Sequence, residues 1–448
     1  MAEVKNGLKF AGDVDVSDVK IGSANGVVLD VYNLMTEINI YEDIASPAVS
    51  GDITLNDSLD MANIFPLIGE EKIFVRFKTP GFAENAEFGM VFYIYKMSDR
   101  VQSADKNVTF TLHFTTFEAV RDLNSKISRG FSGKMDTLVR NLFTDPKHLA
   151  TDKDLFIGKF KNNLSYVSNY WTPFQNLNYL ATRALSETNN AANVMFFENH
   201  KGYVFEALDV MVDADALCSY AYDERNRKQG GDGGSSRSPL KDLEQIEAYE
   251  IYEPFDYFKK VANGGIRSKA IFHDITTKRY ETKTYDYDTQ YDGHNHLNPF
   301  RMKTKGMPAR NTSRIELVNR AYDNFLNMRT DRAKEWYMQR LMQLNELFST
   351  RLNMEVPGRT DLVVGAVVEI SLFKNTPNDP KYTSTSLQDN VFSGRYLVSK
   401  LRHNIKRTDN RHTMYVECVK DSFTKDVFDP SVTGYTSSGT GITTTSKK

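Results

Sequence analysis

From Val27 to Thr116 apolar and polar residues alternate in short runs: Val27 to Tyr32, Ile38 to Tyr41, Ile73 to Phe77, Met90 to Met97 and Val108 to Phe114. Asn25-Gly26, Asn56-Asp57 and Pro80-Gly81 punctuate them as turns. A period of two with turn residues between runs predicts an antiparallel sheet or barrel. The period then changes. Met135, Leu138, Val139, Leu142 and Phe143 share one face of a helix that stops before Pro146. A second helix opens at Thr172, which forms a capping-box pair with Gln175 and has Pro173 preset at its first position. Its apolar stripe is Phe174, Leu177, Ala181, Ala184 and Leu185. Val194 to Phe197 and Tyr203 to Ala207 read as a hairpin.

Residues 223 to 238 carry no apolar side chain and read as a mobile loop. Strands are expected at Gln245 to Ala262 and Ile266 to Tyr287, then a loop from Asp288 to Pro308. Ser313 and Glu316 form a capping-box pattern ahead of Ile315, Val318, Tyr322, Phe325 and Met328, which predicts a helix continuing from Ala333 to Phe348. Strands return at Leu352 to Val356, Val363 to Leu372, Arg395 to Leu401 and Thr413 to Val419. The tail from Asp429 is dominated by Ser, Thr and Gly and is expected to be disordered alone.

Phe92 to Leu112 aligns on Tyr396 to Val416 without a gap. Lys96, Asp105 and Thr109 match Lys400, Asp409 and Thr413, while Ile94 meets Val398 and Met97 meets Leu401. Gly69 and Gly365 each precede the upstream strand. Any two β-hairpins of similar length look somewhat alike; the sharper reading is two homologous barrels in one chain, of which three copies could build a ring of six equivalent positions.

The 448 residues suggest about three domains by the usual domain size. Hydrophobic residues at 40% and charged residues at 25% rule out global disorder. A formal net charge of -2 supplies no bulk cationic field, which disfavours dedicated nucleic-acid binding. The two cysteines, Cys218 and Cys418, lie far apart and point to a reducing compartment. The opening MAEVKNGLKF has no apolar signal core, and no run is long enough to span a bilayer.

No site chemistry emerges, so the sequence predicts no catalytic, cofactor-binding or metal-binding residues. Gly130-Phe131-Ser132-Gly133-Lys134 lacks the first glycine and the hydroxyl of a phosphate loop, with Ser128 and Met135 at those positions. Gly22 to Gly26 frames Ala24 where a nucleophilic serine would stand. Asp292, His294 and His296 have no third histidine or cysteine pair nearby and read as a solvated loop. Asp286, Asp288 and Asp292 miss calcium-loop spacing. Glu70 and Glu71 could serve as acid and base, but neighbouring strand residues point to opposite faces, which favours turn capping. The basic hairpin of Arg395, Lys400, Arg402, Lys406, Arg407 and Arg411 lacks interleaved aromatics and reads as solvated or facing an acidic partner.

Three segments in order carry a resemblance. INIYEDIASPAVSGDITLNDSLDMANIFPLIGEEKIFVRFKTP (38 to 80) resembles the first tube domain of the baseplate central hub protein of contractile-tailed (myovirus-type) bacteriophages. WTPFQNLNYLATRAL (171 to 185) is similar to the helix after a tryptophan in the hub's inserted domain. VPGRTDLVVGAVVEISL (356 to 372) with SGRYLVSKLRHNIKRTDNRHTMYVECV (393 to 419) looks like the second tube domain. The resemblance implies an α+β, predominantly antiparallel β fold with two similar tube-type β-barrel domains, an inserted α+β domain and a long helix. It implies a homotrimer forming a pseudo-six-fold collar between the tail-tube protein and the central spike protein, beside other baseplate subunits. DNA would be only cargo in the lumen, no membrane insertion is implied, and no catalytic residue carries over.

Combined with the patterning, the domain map is a first tube-type barrel over 1–125, an inserted α+β domain over 126–222 and a flexible loop over 223–244. The second barrel starts at 245–290, a loop and long helical insertion fill 291–349, the barrel resumes over 350–428, and 429–448 is a disordered tail. The expected function is a structural baseplate hub of a virion tail, assembled in the bacterial host cytoplasm. The loop at 223 to 238 and the helix at 313 to 348 depart from shorter members of that family. A cell-wall-degrading, lysozyme-like tail enzyme and a peripheral baseplate or secretion-spike component remain alternatives.

Overall fold

The alternation between Val27 and Thr116 becomes, in the computed structural model, part of a six-strand run. The structure describes residues 7–426 apart from 24, 59–64, 66, 84–85, 103–106, 223–238, 255, 275–277, 303–313, 320–332 and 374–387. The expected loop at 223 to 238, the tail from 429, and Ser313 with the helix positions Tyr322, Phe325 and Met328 lie outside those residues.

The strands of the run are β1 (Asp15–Gly22), β2 (Met35–Asp43), β3 (Ser50–Asp57), β4 (Lys72–Lys78), β5 (Phe88–Gln102) and β6 (Val108–Thr116). Their order across the sheet is β2-β3-β6-β5-β4-β1. Alternate residues face inward: Ile38 and Ile40, Ile53 and Leu55, Ile73 and Val75, Phe110, Leu112 and Phe114 are all buried. Val19 and Ile21 from β1, at one end of the run, enter the same core as Ile38 and Ile40 from the other end. The run therefore wraps around its core.

A second set repeats the plan. β7 (Cys218–Ala221), β8 (Ala248–Glu253), β9 (Thr350–Pro357), β10 (Val367–Ser371), β11 (Gly394–Lys406) and β12 (Arg411–Lys420) have the order β8-β9-β12-β11-β10-β7. Strand for strand this is the first unit's order. The hairpins agree in register as well: Ile94 faces Phe114 as Val398 faces Cys418, and Met97 faces Leu112 as Leu401 faces Val416. Both registers slip at the same point, between Ile94 and Lys96 and between Val398 and Lys400. A shared bulge is a specific backbone event. One difference is that β1 meets β4 antiparallel whereas β7 meets β10 parallel. The two units join edge to edge through β2 and β11, giving one continuous sheet.

Between the units the chain forms an α+β insert with its own core, including Leu138, Val139, Leu142, Leu177 and Phe205. Its helices Met135–Thr144 and Pro173–Arg183 follow the apolar stripes. The capping box is present in both directions: Gln175 N donates to Thr172 Oγ1 at 3.2 Å and Thr172 N to Gln175 Oε1 at 2.9 Å. The hairpin is Val194–Asn199 with Gly202–Ala207. Helix Ala333–Leu347 packs Trp336 and Met338 against Leu185, Ala192, Ala270 and Phe272.

Several expectations are corrected. Asn56 and Asp57 are not a turn but the end of β3, opposite Thr109 and Val108. The span 245 to 262 is strand only over Ala248–Glu253; Tyr257–Ala262 is a helix because Asp256 accepts from Lys259 N at 2.8 Å. Only that strand of 245–290 enters the large sheet. Arg267–Asp274 and Arg279–Asp286 form a separate sheet with Arg314–Asn319. That last strand overturns the start of the helix expected from Ser313: Ile315 and Leu317 also alternate, and parallel pairing with Arg267–Asp274 decides the outcome. Within the expected loop from Asp288, Tyr287–Gln290 forms a helical turn capped by Asp286. Helix Phe117–Asn124, which follows β6 directly, is a further element that the apolar periodicity does not predict.

Candidate functional site

The junction of β2 and β11 is where the two units meet, with Lys400 to Lys406 facing Asp43 to Glu37. Alternation gives it two unlike faces. On the outer face Asn404 donates to Glu37 at 2.9 Å and to Asn39 at 2.7 Å, and Arg402 donates to Asn39 at 3.0 and 2.8 Å. Tyr41 donates to Asp52 at 2.8 Å. Lys400 lies 3.5 Å from Glu417. The basic hairpin thus has its acidic partners within the chain, including Glu37, Glu417 and, for Arg411, Glu247.

The inner face holds an ionisable cluster. Glu42, two positions beyond Ile40 and on the same face, has a fully buried side chain. Its Oε1 accepts from the backbone N of His200 at 2.9 Å and lies 2.8 Å from His200 Nδ1, while Oε2 accepts from Val364 N at 3.2 Å. His403 and His412 face each other, Nδ1 to Nε2, at 3.0 Å. Phe77 and Phe88 pack edge-on or tilted against these rings. Burial opposes the Glu42 charge, but the neighbouring imidazoles and the Val364 amide hold its carboxyl below the usual range. Burial pushes His403 down to about 4, with Glu42 opposing the shift, and holds His412 well below its ordinary value. Glu42, His200 and His403 offer ligand atoms within 4.8 Å of one another. Sequence motifs missed this set because its members are scattered along the chain. The available signal was a charged or imidazole side chain at an inward strand position.

The residues that spacing singled out fall elsewhere. His294 and His296 are not in a solvated loop: each side chain is only 12% exposed. His294 Nδ1 lies 3.1 Å from Gln343 and 3.4 Å from Asp209, and His296 stacks on Tyr291 while bonding Asp421 at 2.9 Å. Packing against the helix Ala333–Leu347 and the end of the second unit excludes the water expected there. Arg301 bridges Asp288 and Asp292. Glu71 caps its turn, accepting from Ile68 N at 2.8 Å and Gly69 N at 2.9 Å. Gly130 to Lys134 lies within strand Ile127–Lys134, paired with Asn163–Trp171. Gly22 and Gly26 frame the turn after β1. Neither cysteine is in a disulfide.

The repeat also exposes an asymmetry. The outward edge of β11 from Lys400 onward is covered by β2, and Ile44 N donates to the bulge carbonyl of Ser399 at 2.9 Å. The equivalent half of β5, beyond Lys96, pairs among the described residues only with β6, and Val101 there is 63% exposed. β8, the counterpart of β2, is the terminal strand at the other end of the sheet. No described helix is long and apolar enough to cross a membrane.

No protein-family model matches the chain, and no curated protein matches it. Solved structures do. A tail protein from Neisseria meningitidis MC58 is similar over 90% of this chain and 96% of its own, with 12% identity and a TM-score of 0.52. A 43 kDa tail protein of prophage MuSo2 from Shewanella oneidensis is similar over 91% of this chain and 99% of its own, with 11% identity and a TM-score of 0.52. The chain shares the predominantly antiparallel β fold of these two phage-type tail proteins along nearly its whole length.

Proposed function

We propose that the chain is a structural component of a phage-type tail baseplate, and specifically a trimeric hub between the tail tube and the central spike. The carrying observation is the repeated six-strand unit, with one β2–β11 junction made inside the chain and the two equivalent edges unpaired among the described residues. Pairing β8 of one copy with the outer half of β5 of the next reproduces the internal junction between copies. Such a head-to-tail contact either closes into a ring or runs on as a filament, and a ring of three copies would present six equivalent units. Each copy would contribute eight strands to one continuous wall.

The outer face of the internal junction suits a lumen. By the strand registers Glu37, Asp43, Asp52, Glu250, Glu355 and Glu417 share that side with Lys96, Arg351, Lys400, Arg402, Lys406 and Arg411, so the two signs balance. A wall of balanced charge offers no net cationic field to a phosphate backbone and so does not grip nucleic acid that passes. The work is symmetry matching and force transmission rather than catalysis, in a virion tail assembled in the host cytoplasm.

Light scattering and electron microscopy of the purified chain, alone and with its spike and tube neighbours, test the reading. The expected particle has three times the 51.1 kDa chain mass and six similar lobes in projection. A particle of another stoichiometry in the presence of both neighbours, or a β8 edge facing solvent in it, overturns the hub. The lysozyme-like alternative would show clearing in a zymogram on bacterial wall material.

A further inference from the structure

We propose that Glu42, His200 and His403 form a site for one borderline divalent transition-metal ion, best matched by Zn2+, which ties the two repeat units to the inserted hairpin. This goes beyond the hub reading and does not depend on it. It also departs from the metal-free chain that sequence spacing predicts.

The donor set argues for it first. One carboxylate and two imidazoles, converging within 4.8 Å, make a combination that suits zinc and its neighbours rather than calcium or magnesium, which favour oxygen cages. Metal–ligand bonds of about 2.0–2.2 Å in a tetrahedral site need donors roughly 3.3 Å apart, so the widest gap closes by about 1 to 1.5 Å on binding. His200 can supply that movement, since it sits at the turn between Asn199 and Gly202.

Unused bonding capacity is the second argument. His200 Nε2 and His403 Nε2 are buried and have no hydrogen-bond partner, although buried polar atoms normally find one. The His200 side chain is 3% exposed and that of Glu42 fully buried. The Glu42–His200 contact alone leaves both Nε2 atoms idle, whereas a metal ion employs His403 and neutralises the buried carboxylate.

The surroundings complete the case. His403 Nδ1 faces His412 Nε2 at 3.0 Å, the arrangement in which a ligating imidazole donates its second N–H to an outer partner and fixes its own tautomer. Phe77 and Phe88 supply an apolar wall that excludes water. A cleft of about 340 Å³ lined by His200, Asp152, Lys153, Asp154 and Lys201 lies beside the site. Glu42 belongs to the first unit, His403 to the second and His200 to the insert, so the ion cross-links segments that are distant in sequence.

The test uses the full-length, untagged chain, stripped with chelator, loaded with Zn2+ and passed through gel filtration before elemental analysis. One equivalent per chain is expected, and Co2+ loading should give the visible bands of a four-coordinate nitrogen and oxygen site in which one bound water completes the three protein donors. The near-isosteric Glu42→Gln and His403→Gln should each lower metal affinity at least about ten-fold, and His412→Gln by about ten- to a hundred-fold through the outer shell. His113→Gln, on the outer face of β6, should retain full loading. Less than about a tenth of an equivalent on the wild-type chain, or binding that survives His403→Gln, overturns the proposal. Should the variants fail to fold, the wild-type Co2+ spectrum decides: absence of four-coordinate bands overturns it equally.

Discussion

His296 is held on both sides of its ring, with Nδ1 2.9 Å from Asp421 Oδ2 and Nε2 2.8 Å from the carbonyl oxygen of Tyr291. Two acceptors suit the doubly protonated imidazolium. Burial disfavours its charge, but the Asp421 bond and charge outweigh burial and raise the group from 6.5 to about 9. A raised imidazole stabilises the fold fully below its unfolded value, and that contribution fades as pH rises through about 9. Melting temperature should therefore fall between about pH 6.5 and pH 9.5, by an amount equivalent to at most roughly 3 kcal/mol. In His296→Gln the decline over that window should flatten. An unchanged slope in the variant would assign it to other groups.

Ile94 and Val398 occupy matching positions before matching bulges, at 3% and 0% exposure. Ile94→Asp and Val398→Asp should each cost at least a few kcal/mol in urea denaturation, because each strands a carboxylate in an apolar core. The neighbouring Lys96 and Lys400 are exposed, and their alanine variants should stay within about 1 kcal/mol of the parent. A large gap between the two aspartate variants would contradict equivalent environments.

Lys153 bridges two buried carboxylates, 2.6 Å from Glu118 and 2.5 Å from Glu198. Glu198 also accepts from Thr116 at 2.7 Å and Val49 N at 3.0 Å, tying the insert to the first unit. Burial already raises the Glu198 carboxyl against the pull of Lys153. Lys153→Met should destabilise by about 3–5 kcal/mol near pH 8, since it leaves buried charge uncompensated. A raised carboxyl takes up its proton as pH falls, so the deficit should shrink towards pH 5. A deficit independent of pH would place the effect in packing instead.

Gly51 lies where β2, β3 and β6 come together, and a Cβ there would meet the Asn39 carbonyl oxygen and the Phe114 ring at 2.4 to 2.5 Å. Gly51→Ala should cost about 1–3 kcal/mol by overpacking. Gly130→Ala, which meets nothing within 4 Å, should be near neutral. Equal effects in chemical denaturation would argue against the close approach at Gly51.

Local pattern was sufficient where neighbouring residues decide the outcome. The Thr172-Gln175 capping box, the stripe from Met135 to Phe143 and the alternation around Ile38, Ile73 and Phe110 are all local signals, and all appear in the structure. The repeat of Phe92 to Leu112 in Tyr396 to Val416 was legible too, because a conserved register keeps similar side chains at similar places. Tertiary pairing decided the rest. Arg314–Asn319 could satisfy either period, and a parallel neighbour made it a strand. The joining of β2 to β11, and the meeting of Glu42, His200 and His403, depend on contacts between segments hundreds of positions apart. Local sequence fixes the inward direction of such a side chain but not its neighbours, since these follow from how separate strands close around a common core.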